Sequence, residues 1–255
     1  MGPQEAASGV AAIKKAARRM LFALGLDVRR VRHTRPPSIP DGEFYAPLFS
    51  PWLGYGDFAR YLQLVGSVSL VSPDRIYVLY TLALNALRIP GEFWECGVYK
   101  GGTARMFAEL LSAQGDGRIL HLFDTFAGMP ETDAAHDLHQ RGDFSDTSLE
   151  RVRSFVGHRS RTEFHPGFIP DTFTPMQSSA IAFAHIDVDI YRSVTDCCAF
   201  IYPRLVSGGT MVFDDYGFPT CPGARQAVDE FFHDKAETPL VLQTGQAIVI
   251  RHCSE

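Results

Sequence analysis

From Glu92 onward, short apolar runs alternate with amphipathic stretches. EFWECGV (92–98), RILHLFD (118–124), RTEFHPG (161–167), AIAFAHID (180–187) and GTMVFDD (209–215) have the length and residue types of strands. Between and after them, 103–114, 145–156, 191–205 and 223–232 carry apolar residues at helical spacing. This rhythm predicts βαβ crossovers, hence a mostly parallel sheet with helices on both faces. Two last runs, PLVLQT (239–244) and QAIVIRH (246–252), flank Gly245 at hairpin spacing. The expected fold class is α/β, about seven strands, closed by an antiparallel hairpin.

Upstream the pattern changes. AAIKKAARRMLFALGL (11–26) reads as a short basic amphipathic helix, and RRVRHTRPPSIP (29–40) as a Pro-rich linker. Such an arm suits a solvated extension that packs on its own or a sister subunit, and so offers a route to a homo-oligomer. A membrane-surface helix and a transit peptide share this composition. Residues 41–71 hold Phe44, Tyr45, Phe49, Trp52, Tyr55, Phe58 and Tyr61 without a clean period. They are expected either to cap a site or to pack as a helical subdomain. Ser72, Pro73 and Asp74 then start a helix as N-cap, N1 and first-turn acid, and Pro90 and Gly91 end it. The expected organisation is a basic arm and linker over 1–40, a helical cap or lid over 41–90, and a catalytic domain over 91–255.

Composition narrows the function. With 45% apolar and 21% charged residues, the 255-residue chain can bury a core. No apolar run approaches the roughly 18 residues that span a bilayer, and Lys14, Lys15, Arg18 and Arg19 interrupt the first candidate, so no transmembrane or signal segment is expected. Five cysteines without CxxC spacing suggest reduced thiols in a cytoplasm rather than a disulfide framework or a cysteine zinc site. The net charge of −5 argues against nucleic acid as a partner and leaves a small molecule or glycan. Lys14, Lys15, Arg18, Arg19, Arg29, Arg30, Arg32 and Arg35 lie in the arm against Glu5 and Asp27 alone, so the rest is the acidic part.

In an open parallel sheet, ligands bind at the carboxyl ends of the strands. The first strand ends in Glu95-Cys-Gly97-Val-Tyr-Lys-Gly101-Gly102-Thr103, where glycines admit close approach of backbone to a ligand and the next helix offers amides. Position 99 is Tyr, so this is not the dinucleotide GxGxxG pattern. Asp124 ends the second strand, where a carboxylate can accept ribose hydroxyls. Asp187, Asp214 and Asp215 end two further strands; a hard divalent cation accounts for such clustered acids, and separate helix caps are the alternative. His185 reads as a hydrogen-bonded core histidine. Asp187-Val188-Asp189 is also a DxD pattern, which raises a metal-dependent glycosyltransferase as a rival, and a non-catalytic binding subunit is the other.

ECGVYKGGTARM, LFDTFAGMP, FHPGFIPDTF, HIDVDIYRSVTDCCAFIYPRLVSGG and DDYG, in this order, resemble the macrocin O-methyltransferase family over about Pro73 to Arg251. More distantly they resemble catechol and caffeoyl-CoA O-methyltransferases. The resemblance implies a Rossmann-like class I methyltransferase fold and transfer of a methyl group from S-adenosylmethionine to a sugar-type hydroxyl with Mg²⁺. It implies that Glu95, Gly97, Gly101 and Thr103 hold the methionine part, Asp124 the ribose, and Gly167 and Phe168 the adenine. It further implies Asp187, Asp214 and Asp215 as metal ligands. For such a reaction a nearby carboxylate must take the hydroxyl proton, and Asp187, joined by Asp189, is the candidate base. Val188 and His185 depart from the family pattern, which leaves the acceptor open.

Overall fold

The computed structural model describes residues 20–21, 49–157 and 161–253. The basic helix and linker expected over 11–40 lie outside these residues apart from the helical Met20 and Leu21, as do Phe44 and Tyr45. The chain divides into two compact units, Met1–Leu48 and Phe49–Glu255, and the second holds the whole sheet.

Seven strands form one sheet: β1 (Glu92–Cys96), β2 (Leu120–Asp124), β3 (Thr162–Pro166), β4 (Ile181–Ile186), β5 (Leu205–Phe213), β6 (Leu240–Val241) and β7 (Ala247–Ile250). Their order is β3-β2-β1-β4-β5-β7-β6. The first five are mutually parallel, and β7 runs antiparallel to β5 and β6. The expected sheet, closing hairpin included, is present. Because β1 to β3 step one way from the centre and β4 to β5 the other, the order reverses between β1 and β4, and a crevice opens at their carboxyl ends.

Among residues 49–253, six α-helices accompany the sheet: α1 (Phe58–Val65), α2 (Pro73–Ala86), α3 (Gly102–Ala113), α4 (Leu149–Val156), α5 (Tyr191–Ile201) and α6 (Pro222–Phe232). The central strands are buried on both faces, so they read as continuous apolar runs. Successive residues serve opposite layers: Phe93 joins Phe107 and Leu79 under α2 and α3, while Trp94 joins Val194 and Val228 under α5 and α6.

Three boundaries differ from expectation. The helix expected to run to Leu205 ends at Ile201, since Pro203 sits in a 3-10 turn over Tyr202–Arg204. β5 begins at Leu205, four residues early, and its pairing with β4 slips between Ile181 and Phe183 next to the left-handed Gly208. α4 starts at Leu149 rather than Ser145, where the Ser148 hydroxyl accepts the Arg151 amide.

Of the cap or lid expected over 41–90, residues 49–90 belong to the same compact unit as the sheet. Phe58 and Tyr61, three apart and so on one helix face, are buried against Tyr77 and Tyr80 of α2. Phe49 and Tyr55 meet edge to face on the exposed surface.

Candidate active site

A cavity of about 250 Å³ occupies the crevice where the strand order reverses. Its wall includes Gly97, Thr103, Asp124, Gly167, Phe168, Asp187, Asp189, Asp214 and Asp215, which come from the ends of five strands and the segments that follow them. Nine of the eleven residues singled out from sequence thus meet in one place. The other two do not reach it. Glu95 is fully buried inside β1, and Gly101 packs under α4, where an added Cβ would stand 3.0 Å from Val152 and 3.2 Å from Val156. A bulky residue at 101 is therefore expected to displace α4 rather than to fill the cavity.

The β1–α3 turn winds through left-handed backbone at Gly97, Tyr99 and Gly101, with φ of 85°, 50° and 83°. At Gly97 the requirement is absolute, because a Cβ there would lie 1.8 Å from the Asp187 carbonyl oxygen. This contact and the Asp187 amide donating to the Cys96 carbonyl (2.8 Å) hold the acid against the turn. Gly97→Ala carries the left-handed penalty of roughly 1–2 kcal/mol for any L-residue plus a backbone collision. It is expected to lower the melting temperature measurably more than Gly115→Ala, where nothing lies within 4 Å. Equal shifts for the two would contradict this reading of the turn.

Asp124 organises the same turn. Its Oδ2 accepts the amides of Val98 (2.7 Å) and Tyr99 (2.8 Å), and its Oδ1 accepts that of Phe126 (2.7 Å). Two turn amides expected to face a ligand are thus taken by this carboxylate, which keeps about one of its roughly four lone-pair sites for a hydroxyl. The amino end of α3 has no side-chain cap, and its Gly102 and Thr103 line the wall. That leaves the positive end of the helix dipole facing the cavity. Phe168, more than half exposed, stands at the rim beside Gly167.

The acids divide into two kinds. Asp214 is fully buried and compensated: Oδ2 takes an ion pair from Arg75, and Oδ1 accepts from Gln246 at 2.8 Å. Burial alone raises its pKa, but His185 and Arg75 outweigh burial and hold it below the ordinary carboxylate range. Asp187 and Asp215 behave in the opposite way: burial, and then the charge of neighbouring acids, pushes both well up. Asp189 is raised as well, by burial first. Its backbone is left-handed (φ 58°), its amide donates to Asp215 Oδ2 at 3.0 Å, and its Oδ1 takes the Cys221 thiol at 3.4 Å. Strained backbone on a polar residue in a cleft is a recurrent mark of function.

His185 is indeed a core histidine, and it is charged. Its Nδ1 donates to Glu95 Oε1 at 2.9 Å, and its Nε2 faces Asp214 Oδ1 at 3.6 Å, an ion-pair distance too long for a hydrogen bond. Burial lowers its pKa, yet Asp214 and Glu95 outweigh burial and lift it from 6.5 to about 10. A raised cationic pKa adds stability that is complete below the unfolded value and lost as pH rises through the folded one. Between pH 6.5 and 10, the melting-temperature advantage of the wild type over His185→Gln, measured in chelator, is therefore expected to shrink. An advantage that grows with pH would contradict the assignment. Glu95 accordingly acts on the site at one remove, as a counter-charge behind His185.

Arg75, Gln246 and His139 were not singled out from sequence. Arg75 comes from the first turn of α2, and Gln246 from the hairpin. His139 lines the cavity from the long β2–α4 connection, with Nε2 3.8 Å from Asp189 Oδ1 and Nδ1 3.1 Å from Asp143. A lone histidine in an aperiodic loop leaves no spacing signal. The cavity wall includes Val68, Leu70 and Val71 but not Phe49, Trp52, Tyr55, Phe58 or Tyr61, so of the two expectations for the aromatic stretch its described rings do not meet that of a pocket wall.

The macrocin-O-methyltransferase (TylF) family model matches residues 71–249. An 8-demethyl-8-(2,3-dimethoxy-alpha-L-rhamnosyl)-tetracenomycin-C 4'-O-methyltransferase from Streptomyces olivaceus is 32% identical over 155 residues, 56% of this chain and 58% of the relative. A mycinamicin III 3''-O-methyltransferase from Micromonospora griseorubida is 31% identical over 179 residues, 64% of this chain and 69% of the relative. The chain thus spans under two thirds of the tetracenomycin relative's length. Among solved structures, the O-methyltransferase NovP superposes with a TM-score of 0.66 at 24% identity, covering 74% of this chain and 84% of that one. The calicheamicin methyltransferase CalS11 gives 0.60 at 18%, covering 88% and 97%, and both show the shared class I fold. With the family model covering most of its length, including all the acids at the strand ends, this chain belongs to the macrocin O-methyltransferase family.

Proposed function

We propose that this protein transfers a methyl group from S-adenosylmethionine to a sugar hydroxyl of a glycosylated natural product, with Mg²⁺ or a similar divalent cation. The observation that carries this reading is one cavity that joins an uncapped helix amino end and Asp124 to the acids Asp187, Asp189 and Asp215. The tetracenomycin and mycinamicin relatives, named for 4' and 3'' positions, point the acceptor toward a glycoside.

The residues fit the groups this reading requires. Asp124 offers its remaining lone pair to a ribose, Thr103 and the end of α3 suit a carboxylate, and Phe168 offers a ring face to adenine. Asp187 and Asp215 repel each other and the nearby acids, an arrangement that a divalent cation relieves. Asp214 would join them in exchange for Gln246, since Arg75 and Gln246 already take its oxygens. When bound, the cation lowers the pKa of an acceptor hydroxyl.

This chain's residues do the rest. Asp189, whose proton affinity is raised by burial, takes the hydroxyl proton as the acceptor oxygen gains the methyl group. His139, near Asp189 and tied to Asp143, sets the direction of that carboxylate. Val68, Leu70 and Val71 supply an apolar wall that excludes water from the reacting atoms.

Methyl-labelled S-adenosylmethionine incubated with rhamnosyl and macrolide glycosides tests the proposal. Label is expected in a glycoside when Mg²⁺ is present and is expected to fall to background in chelator. Label transfer undiminished by chelation would remove the cation from the reaction. Glycosyl transfer from a nucleotide-sugar in its place would favour the DxD reading.

A further inference from the structure

Away from the cavity, His121 of β2 and Glu163 and His165 of β3 bring two imidazoles and a carboxylate together, and none of the three lines the cavity. Register places them there. In a parallel sheet, paired residues share a face, and so do residues two apart along a strand. Trp94 pairs with His121 and His121 with Glu163, so Glu92, His121, Glu163 and His165 all project from one face.

His121 Nδ1 lies 2.9 Å from His165 Nε2 and 3.9 Å from Glu163 Oε2. A tetrahedral zinc ion with bonds of about 2.0–2.2 Å spaces its ligand atoms about 3.3 Å apart, between these two distances. His121 Nε2 lies 3.1 Å from Glu92 Oε2. With its Nε2–H given to Glu92, His121 turns the Nδ1 lone pair toward His165 and Glu163, and the carboxylate orients the ring as it does behind many metal-binding histidines. Burial lowers the pKa of both imidazoles, helped by Arg161 at His121 and by His121 at His165, so both are neutral at physiological pH. The His121 side chain is 3% exposed and that of Glu163 45%, so the cluster is anchored inside and open on one side.

We propose that His121, His165 and Glu163 bind a divalent transition-metal ion of the zinc class, with Glu92 as the carboxylate that positions His121. Two imidazoles and a carboxylate suit zinc better than magnesium, which prefers oxygen. As the ion takes its place between the rings, His165 carries its one proton on Nδ1 and turns the Nε2 lone pair to the metal, so no net proton leaves the two neutral imidazoles. Because Glu163 and His165 stand on the edge strand β3 and His121 on its neighbour β2, the ion ties these two strands together, and Glu92 of β1 is joined to it through His121.

The test is calorimetric titration of ZnCl₂ into the chelator-stripped full chain, with Mg²⁺ in excess to occupy acidic sites. An Asp189→Asn, Cys221→Ser background removes the other histidine and thiol cluster. Saturable binding of one zinc per chain is expected at neutral pH, with a heat that does not depend on the buffer's ionisation enthalpy, together with a higher melting temperature. His165→Ala and the part-exposed Glu163→Gln are each expected to weaken it by at least about ten-fold, and Glu92→Gln by a comparable factor. No zinc binding by the parent protein, or affinity unchanged from the parent in both His165→Ala and Glu163→Gln when they remain folded, would overturn the site.

Discussion

Asp214→Ala is expected to cost about 3–5 kcal/mol of folding stability, the loss typical of removing one partner of a buried ion pair. The Arg75 side chain is 10% exposed and that of Asp214 is not exposed at all, so truncation strands a guanidinium in the interior. His185 loses a neighbour that keeps it charged, and Gln246 loses its acceptor. Asp187→Asn and Asp215→Asn are expected to move stability the other way in the metal-free protein, because each removes a repelling charge. Urea unfolding in chelator separates the two cases. Three equal destabilisations would mean that the acids form one structural network rather than two kinds of site.

Asp189→Asn is expected to lower the rate of methyl transfer about 10²–10⁴-fold, the usual contribution of a positioned base, while S-adenosylmethionine affinity stays within a few-fold of the wild type. The carboxamide keeps the size of the side chain but cannot accept the proton. The separation of effects arises because Asp189 is held by Cys221 and His139, whereas Asp124 is bonded to the amides of the turn after β1 and Thr103 sits at the start of α3. Single-turnover rates alongside binding titrations check it. A loss of affinity equal to the loss of rate would place Asp189 in the cofactor site.

The central strands were legible because burial on both faces makes them continuous apolar runs, and the closing hairpin because Gly245 punctuates it. β6 shrinks to Leu240 and Val241, both exposed, since an edge strand needs few pairings. Most of the acids were legible too, as polar residues that end apolar runs. Glu95 was the exception: its pairing with His185 depends on β1 lying beside β4, which strand order alone reveals. Arg75 and Gln246 reach Asp214 from 139 and 32 residues away in sequence, distances at which no local pattern operates. The aromatic stretch was ambiguous for a different reason, because rings suited to a pocket wall suit a helix interface equally, and Phe58 and Tyr61 went to α2.

Whether the crevice is an adenosyl site is decided by titrating the full chain with S-adenosylhomocysteine, in parallel with a nucleotide-sugar, since this needs no knowledge of the acceptor. Saturable one-to-one binding of the adenosyl ligand is expected, severely weakened in Asp124→Ala, with no heat from the nucleotide-sugar. No binding of the adenosyl ligand by the folded wild type, or nucleotide-sugar binding in its place, would contradict the methyltransferase assignment of this site.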